Sequence, residues 1–219
     1  MALRARGRPE PTAEAPDPGT GMADDKVDLM GRVEDRHWWY RAKRDLVAEV
    51  LAGAGVSGRV LDIGCGTGAV LERLAPQHDA VIGTDLSPVA ASASQRRGMT
   101  VVRSVAEAVP FRSGCADAVV SLDVIEHLDD DERALREYRR VVRPGGLVVI
   151  AVPAYQWAWS SHDVSLGHRR RYTRERLGAA ARAAGLEVQR LSHFHSWLAP
   201  VAYVVRRTPV RHLVKGEED

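Results

Sequence analysis

Three acids and three glycines carry the first chemical signal in this chain. The apolar run Arg59-Val60-Leu61-Asp62-Ile63 holds an acid, and Gly64, Gly66 and Gly68 come next at alternate positions with Cys65 and Thr67 between them. Val70, Leu71 and Leu74 then recur at helical spacing. The pattern predicts a buried strand, a tight turn and a helix whose first amide groups stay open to a polar or anionic ligand. Glycine suits such a turn because it accepts positive φ and lets a ligand press against bare backbone.

Asp85 closes a second apolar run, Ala80 to Asp85, and Asp123 closes another, Ala116 to Asp123. Any one of these acids alone reads as an ordinary solvated loop residue. Three at strand ends beside a glycine turn point to one ligand-binding edge. A dinucleotide site wants Gly-x-Gly-x-x-Gly, whereas the spacing here is Gly64-x-Gly66-x-Gly68. A buried carboxylate at Asp62 is poor company for a pyrophosphate and good company for a zwitterionic, cationic ligand. One at Asp85 can accept both hydroxyls of a ribose.

The elements that must hold these residues alternate. Ser87-Pro88 makes an N-cap and first-turn pair for a helix that Gly98 closes. Thr100 to Arg103 is a third strand, and the run ending at Asp123 is a fourth. Asp129 or Asp130 caps a helix with Leu135, Tyr138 and Val142 on one face, stopped by Pro144-Gly145-Gly146. Leu147 to Val152 is a fifth strand and Leu186 to Phe194 a sixth, with a helix capped by Thr173 and ended by Gly185 before it. Strand-helix alternation with continuous apolar strands implies an α/β fold, a doubly wound and mostly parallel sheet with helices on both faces.

Residues 1–25 are rich in Pro, Ala, Glu and Gly without periodicity and are expected to form a disordered tail. Residues 26–58 are expected to form an N-terminal helical cap, and residues 59–219 the sheet domain. In the cap, Glu34-Asp35-Arg36-His37-Trp38-Trp39-Tyr40-Arg41 places three aromatics together, and Leu46, Val47, Val50 and Leu51 recur behind it at helical spacing. The aromatics either staple this helix to the body or form a flap over a ligand, with Arg41 or Arg44 reaching a carboxylate.

Composition narrows the class. The 219 residues suffice for one domain with a sizeable core, and 45% hydrophobic with 27% charged residues is ordinary for a soluble globular protein. A net charge of +2 does not argue for nucleic acid. Two cysteines, Cys65 and Cys115, make no disulfide framework, so the expected compartment is a reducing cytoplasm. No apolar run reaches the roughly 18 residues of a membrane span, and no hydrophobic segment comes after the N-terminal arginines as in a secretory signal.

At this point the chain resembles a known family. Leu61 to Gly68 is similar to motif I of the class I S-adenosylmethionine-dependent methyltransferases, and Gly83-Thr84-Asp85-Leu86-Ser87 to their second motif. Ala106 to Phe111 resembles the adenine-side loop. Asp123 to Leu128 resembles the fourth-strand segment, and Leu135 through Gly146 the helix and turn after it. The resemblance covers about residues 58–153, and it implies a Rossmann-like sheet with S-adenosylmethionine as cofactor. It further implies that Asp62 and the backbone from Gly64 through Cys65 and Gly66 to Gly68 hold the methionine portion, and Asp85 the ribose. Leu86 would pack on the adenine, the backbone of Val105 and Ala106 would bond its edge, and Leu122 and Asp123 would lie near the methionyl amine. Many relatives carry Asp where this chain has Val105, so a side-chain bond to the adenine amino group is expected to be absent. The flanks, His37 to Arg41 with Ser161-His162-Asp163, Leu166-Gly167-His168 and Arg170 to Thr173, resemble a bacterial subgroup of small-molecule methyltransferases distantly similar to the quinone-biosynthesis O-methyltransferases.

The implied reaction is an in-line displacement in which the protein mainly aligns the reactants and excludes water. An oxygen or nitrogen acceptor must also lose a proton, and His127, His162 and His168 all fall on the acceptor side. Asp123, Glu126 and His127 offer oxygen and nitrogen ligands to a divalent cation, but Glu126 also suits a salt bridge, and no metal is assigned. The basic run His168 to Arg171 with Arg174 and Arg176 is either a solvated helix face or a site for a phosphate or carboxylate on the acceptor. No nucleic-acid partner is expected, since no aromatic stacking platform accompanies the charge. Leu198, Val201, Ala202 and Val205 recur at helical spacing where the family's final antiparallel strand belongs, so that strand is expected to be missing or replaced, although Val201 to Val205 could supply a short one. The same segment, apolar and basic, permits peripheral membrane contact. The oligomeric state is not legible. The expected function is methyl transfer to a small-molecule acceptor, at oxygen in preference to nitrogen or carbon. Its rival is a methyltransferase-like domain that binds the cofactor without turnover as an assembly partner. An NAD-dependent oxidoreductase is disfavoured by the glycine spacing and by the lack of Tyr-x-x-x-Lys.

Overall fold

The computed structural model describes residues 1–5 and 24–194. Its centre is a seven-stranded sheet in the order β4-β3-β2-β5-β6-β1-β7. In chain order the strands are β1 (Ala2–Ala5), β2 (Arg59–Ile63), β3 (Ala80–Asp85), β4 (Thr100–Arg103), β5 (Ala116–Leu122), β6 (Val142–Ala151) and β7 (Leu186–Arg190). The helices are α1 (Asp24–Val33), α2 (Trp38–Gly53), α3 (Ala69–Leu74), α4 (Pro88–Arg96), α5 (Asp131–Val141), α6 (Ser161–Ser165) and α7 (Arg174–Ala183).

Strands β2 to β6 pair in parallel, with Leu61 opposite both Ile82 and Val119. Their apolar residues split between the two faces at the period of a strand. Leu61, Ile63, Val119, Val148 and Ile150 pack with Leu135 and Tyr138 of α5 and Leu177 of α7. Val60, Ala118, Val120 and Val149 pack with Val47 and Leu51 of α2 and Leu74 of α3. Burial on both faces is why these strands read as unbroken apolar runs. The caps form as their residue types dictate: the Ser87 side chain accepts from the amides of Val89 and Ala90, Asp130 from Arg133, and Thr173 from Arg176. From β2 the chain winds outward to β3 and β4, then returns to β5 on the other side. A crevice therefore opens beyond the carboxyl ends of β2 and β5.

Two expectations change. Residues 2–5, placed in a disordered tail, form β1, antiparallel to both β6 and β7 with Leu3 opposite Val148 and Val188. Leu3 is 0% exposed, and the Met1 amino group donates to the Ile150 carbonyl while the Ile150 amide donates to Met1 at 2.8 Å. Burial, with the Arg190 charge nearby, pushes that amino group down to about 6. A four-residue strand held by backbone pairing on both sides carries no periodicity to announce it. The antiparallel strand is thus replaced, among the described residues, from the amino end. The segment Leu198 to Val205, including the short strand weighed at Val201 to Val205, lies outside the described residues. The expected cap is also divided, since the later part of α2 belongs to the sheet's own core. No helix among the described residues is long and apolar enough to cross a membrane.

Because Leu3 is fully enclosed, Leu3→Ala is expected to destabilise the protein by about 2–5 kcal/mol in urea unfolding. A change within about 0.5 kcal/mol, as for a surface position, would show that residues 2–5 are a tail in solution.

Candidate active site

The turn after β2 takes left-handed backbone at Gly64, Gly66 and Gly68, with φ of 77°, 54° and 87°. Space excludes side chains there as well: a Cβ on Gly64 would lie 2.3 Å from Val124 Cγ2, and one on Gly68 2.6 Å from Ser94 Oγ. The amides of Gly64 and Cys65 both donate to the Thr84 carbonyl, at 2.8 and 2.9 Å, which ties the turn to β3. Asp85 adds a second tie, accepting from the Gly66 amide at 2.8 Å and the Ser87 amide at 2.9 Å.

Asp62, Gly64, Cys65, Gly66, Asp85, Leu86, Val105, Ala106, Leu122 and Asp123 all line one cavity of about 1850 Å³. Gly68 stands just outside the lining, as the N-cap of α3. Asp62 is 2% exposed and its Oδ2 has no hydrogen-bond partner. Burial, reinforced by the Asp85 charge, pushes its carboxyl up to about 8. An orphaned buried carboxylate beside a glycine turn fits a cationic ligand and opposes an anionic one. Asp123 comes directly after β5 with φ of 54°, a conformation few residues other than glycine and Asp or Asn adopt.

The N-terminal helices roof the cavity. Met30 stands 3.1 Å from where a Cβ on Gly66 would be. Glu34, buried, accepts from the Thr67 hydroxyl and from Arg97 at 2.9 Å, and Arg97 also binds Asp35 at 2.8 Å and Glu72 at 2.7 Å. Trp39 and Tyr40 line the cavity, in keeping with the flap alternative, while Trp38 is exposed. Arg41, expected to reach a carboxylate, is exposed and stands outside the lining, because the turn of α2 points it away. Lys43 takes the inward position and pairs with Asp123, and Arg44 lines the cavity while bonding Asp35 at 3.1 Å. Lys43, Glu34 and Arg97 escaped sequence reasoning: Lys43 sits within α2 and the other two just past the ends of α1 and α4, and only the fold joins them.

His127, His162 and His168 line the same cavity. His127 and His168 meet edge to face with ring centroids 4.8 Å apart, whereas His162 is exposed on α6. Burial, and then the neighbouring His168, pushes His127 down to about 4, so it is neutral in neutral solution. His168 Nδ1 lies 2.9 Å from Asp163, which also accepts from Arg171 at 2.7 and 3.0 Å and from the Ser160 amide at 2.8 Å. Burial alone would raise the Asp163 carboxyl, but the bonds from Arg171, His168 and Ser160 outweigh it and hold it well below the usual range. Glu126, weighed as a salt-bridge partner, is 0% exposed and neither of its oxygens has a hydrogen-bond partner. The basic run is spent internally. Arg169 pairs with Asp129 at 3.3 Å, Arg170 with Asp131 at 3.2 Å, and Arg174 bonds the Leu191 carbonyl at 2.6 Å. Tyr172, buried, donates to Asp131 at 2.6 Å and fixes this loop to α5.

The raised Asp62 carboxyl has a consequence for stability. The unfolded chain gives up this proton near the ordinary 3.8 and the folded chain only near 8, so stability is fully present below the first value and falls as pH rises through the second. Asp62→Asn removes that fall. Its melting temperature should exceed the parent's by on the order of 5 °C at pH 8, with little difference at pH 4. Parallel melting profiles across this range would contradict the buried Asp62 carboxyl.

Comparison with known proteins agrees with this geometry. Residues 61–150 match the model of a family described as a methyltransferase domain. A probable S-adenosylmethionine-dependent methyltransferase of Mycolicibacterium smegmatis is 31% identical over 173 residues, covering 76% of this chain and 66% of its own. The ubiquinone biosynthesis O-methyltransferase of Pseudomonas aeruginosa is 32% identical over 160 residues, covering 62% of this chain and 68% of its own. A Haloferax volcanii protein assigned as a methyltransferase, solved in complex with the Trm112 methyltransferase activator, superimposes with a TM-score of 0.62 at 25% identity, over 76% of this chain and 74% of that one. The chain spans less than two thirds of the length of several curated relatives it matches, 66% in M. smegmatis and 30% for a tRNA (carboxymethyluridine(34)-5-O)-methyltransferase of Arabidopsis thaliana. With its strand order, glycine turn and strand-end acids, the chain belongs to the class I S-adenosylmethionine-dependent methyltransferases.

Proposed function

We propose that the chain transfers a methyl group from S-adenosylmethionine to an oxygen of a small organic acceptor. The observation that carries this is a single cavity lined both by the glycine turn with Asp62 and Asp85 and by His127 and His168. Asp62 and the backbone from Gly64 to Gly68 hold the methionine portion. Asp85 takes the ribose, Leu86 with the Val105 and Ala106 backbone takes the adenine, and Leu122 and Asp123 sit at the amine. The cofactor supplies a methyl group on a positively charged sulfur, ready for in-line displacement. The chain's own part is to align the acceptor and keep water out, for which Trp39 and Tyr40 provide apolar walls with polar tips. Asp123 pairs with Lys43 and would equally hold the methionyl amine, since both are cations that suit the same carboxylate. Imidazoles at the acceptor end suit a hydroxyl group, which must part with a proton. The 32% identity to an O-methyltransferase of ubiquinone biosynthesis supports oxygen as the acceptor atom.

The second reading, cofactor binding without turnover inside an assembly, draws on the likeness to the H. volcanii protein held by an activator. Turnover separates the two. Purified protein with a panel of phenols and other hydroxylated acceptors is expected to release adenosylhomocysteine, and NAD is expected not to bind. Asp85→Ala should weaken adenosylhomocysteine binding about 10–100-fold by calorimetry, the loss of a charge-assisted pair of hydrogen bonds. Methylation of amines alone would overturn the oxygen assignment. Unchanged binding in Asp85→Ala would overturn the cofactor assignment.

A further inference from the structure

At the cavity wall lies a cluster whose bonding is incomplete. Glu126 and His127 lie just beyond β5 in the turn toward α5, and His168 arrives from the turn after α6. One nitrogen or oxygen from each lies within 4.8 Å of the others. Both Glu126 oxygens and His127 Nδ1 are buried with no hydrogen-bond partner, a costly state for a carboxylate and an imidazole. His127 Nδ1 is thus a buried ring nitrogen that no protein group satisfies. His168 Nδ1 is held by Asp163 at 2.9 Å, so Nε2 presents the lone pair. Asp163 is itself fixed by Arg171 and Ser160. A carboxylate holding the far nitrogen of an imidazole is the outer-shell arrangement that orients metal-bound histidines.

We propose that Glu126, His127 and His168 bind a divalent cation of the zinc class. Two imidazole nitrogens and one carboxylate oxygen suit zinc and its transition-metal neighbours, whereas magnesium and calcium favour oxygen ligands throughout. Three protein ligands leave a fourth position open, and the two imidazoles line the cavity where the acceptor would lie. The site stands on the cluster alone. Its use, holding the acceptor's oxygen in line with the cofactor, rests on the methyl-transfer reading, and there the two histidines act as ligands.

The test is metal binding by the full chain, free of any tag and stripped with a chelator. Zinc titration by calorimetry is expected to show one equivalent bound. Cobalt(II) is expected to give the intense visible bands of a four-coordinate site. Glu126→Gln and His168→Gln should each weaken zinc binding at least tenfold, while His162→Gln, outside the cluster, should bind as the parent does. No stoichiometric zinc, or zinc binding indifferent to both substitutions, overturns the proposal. Should those variants fail to fold, X-ray absorption on the zinc-loaded parent decides. Two imidazoles with an oxygen ligand support the site, and a sulfur ligand or a single imidazole overturns it. Adenosylhomocysteine binding measured alongside separates the two claims: its loss with zinc retained removes the methyl-transfer reading and leaves the cation site, and the reverse removes the site alone.

Discussion

A buried carboxyl with one unpartnered oxygen, that of Asp62, sits near the end of the central parallel strand and lines the cavity. Nothing in the stability of the sheet calls for it. A buried acid with an oxygen left unpartnered opposes folding, and an apolar residue there would serve the core better. Its presence makes sense only with a cation delivered from outside. The rest of the site is arranged to bring that cation in. The glycine turn leaves room beside the acid, Asp85 locks the turn to the next strand, and the reversal of strand order opens the crevice above it. Function here is placed at the cost of local stability, as is usual for binding sites.

The roof over that crevice is held by charge. Glu34 and Arg97 join α1 to the glycine turn and α4, and Lys43 joins α2 to the end of β5. These ties have different surroundings. The Glu34 carboxyl is buried, and burial pushes it up against the pull of Thr67 and Arg97, whereas Arg97 also holds two exposed acids. A roof pinned by ion pairs near solvent can be released by a competing charge more readily than one pinned by packed apolar side chains. A cationic ligand that takes Asp123 from Lys43 would act on the roof and the cradle together.

Much of this was legible in the sequence because it rests on local rules. Apolar runs with period-breaking glycines marked the parallel strands, and Ser87, Thr173 and the pair Asp129-Asp130, of which Asp130 is the cap, marked helix starts by the chemistry of their side chains. The strand-end acids Asp62, Asp85 and Asp123 could be placed on one edge from the order of elements alone. What the sequence concealed depends on contacts between distant segments. Strand β1 is four residues long and owes its existence to the gap between β6 and β7. Arg41 and Lys43 differ by two positions on one helix, and which of them faces the cavity depends on how α2 docks. The arginine-rich run could be read as a solvated helix face or as a site for an anion, and Asp129, Asp131 and Asp163 neutralise most of it. Glu126 and His168 lie far apart in the chain, and no spacing rule brings them together.

The most direct test of this account is a crystal structure of the protein with adenosylhomocysteine bound. The predicted pose puts the ligand's amine on Asp123 in place of Lys43, its ribose hydroxyls on Asp85, and its sulfur facing His127 and His168 across the cavity. A ligand seated elsewhere, or one whose sulfur points away from those two histidines, would contradict it.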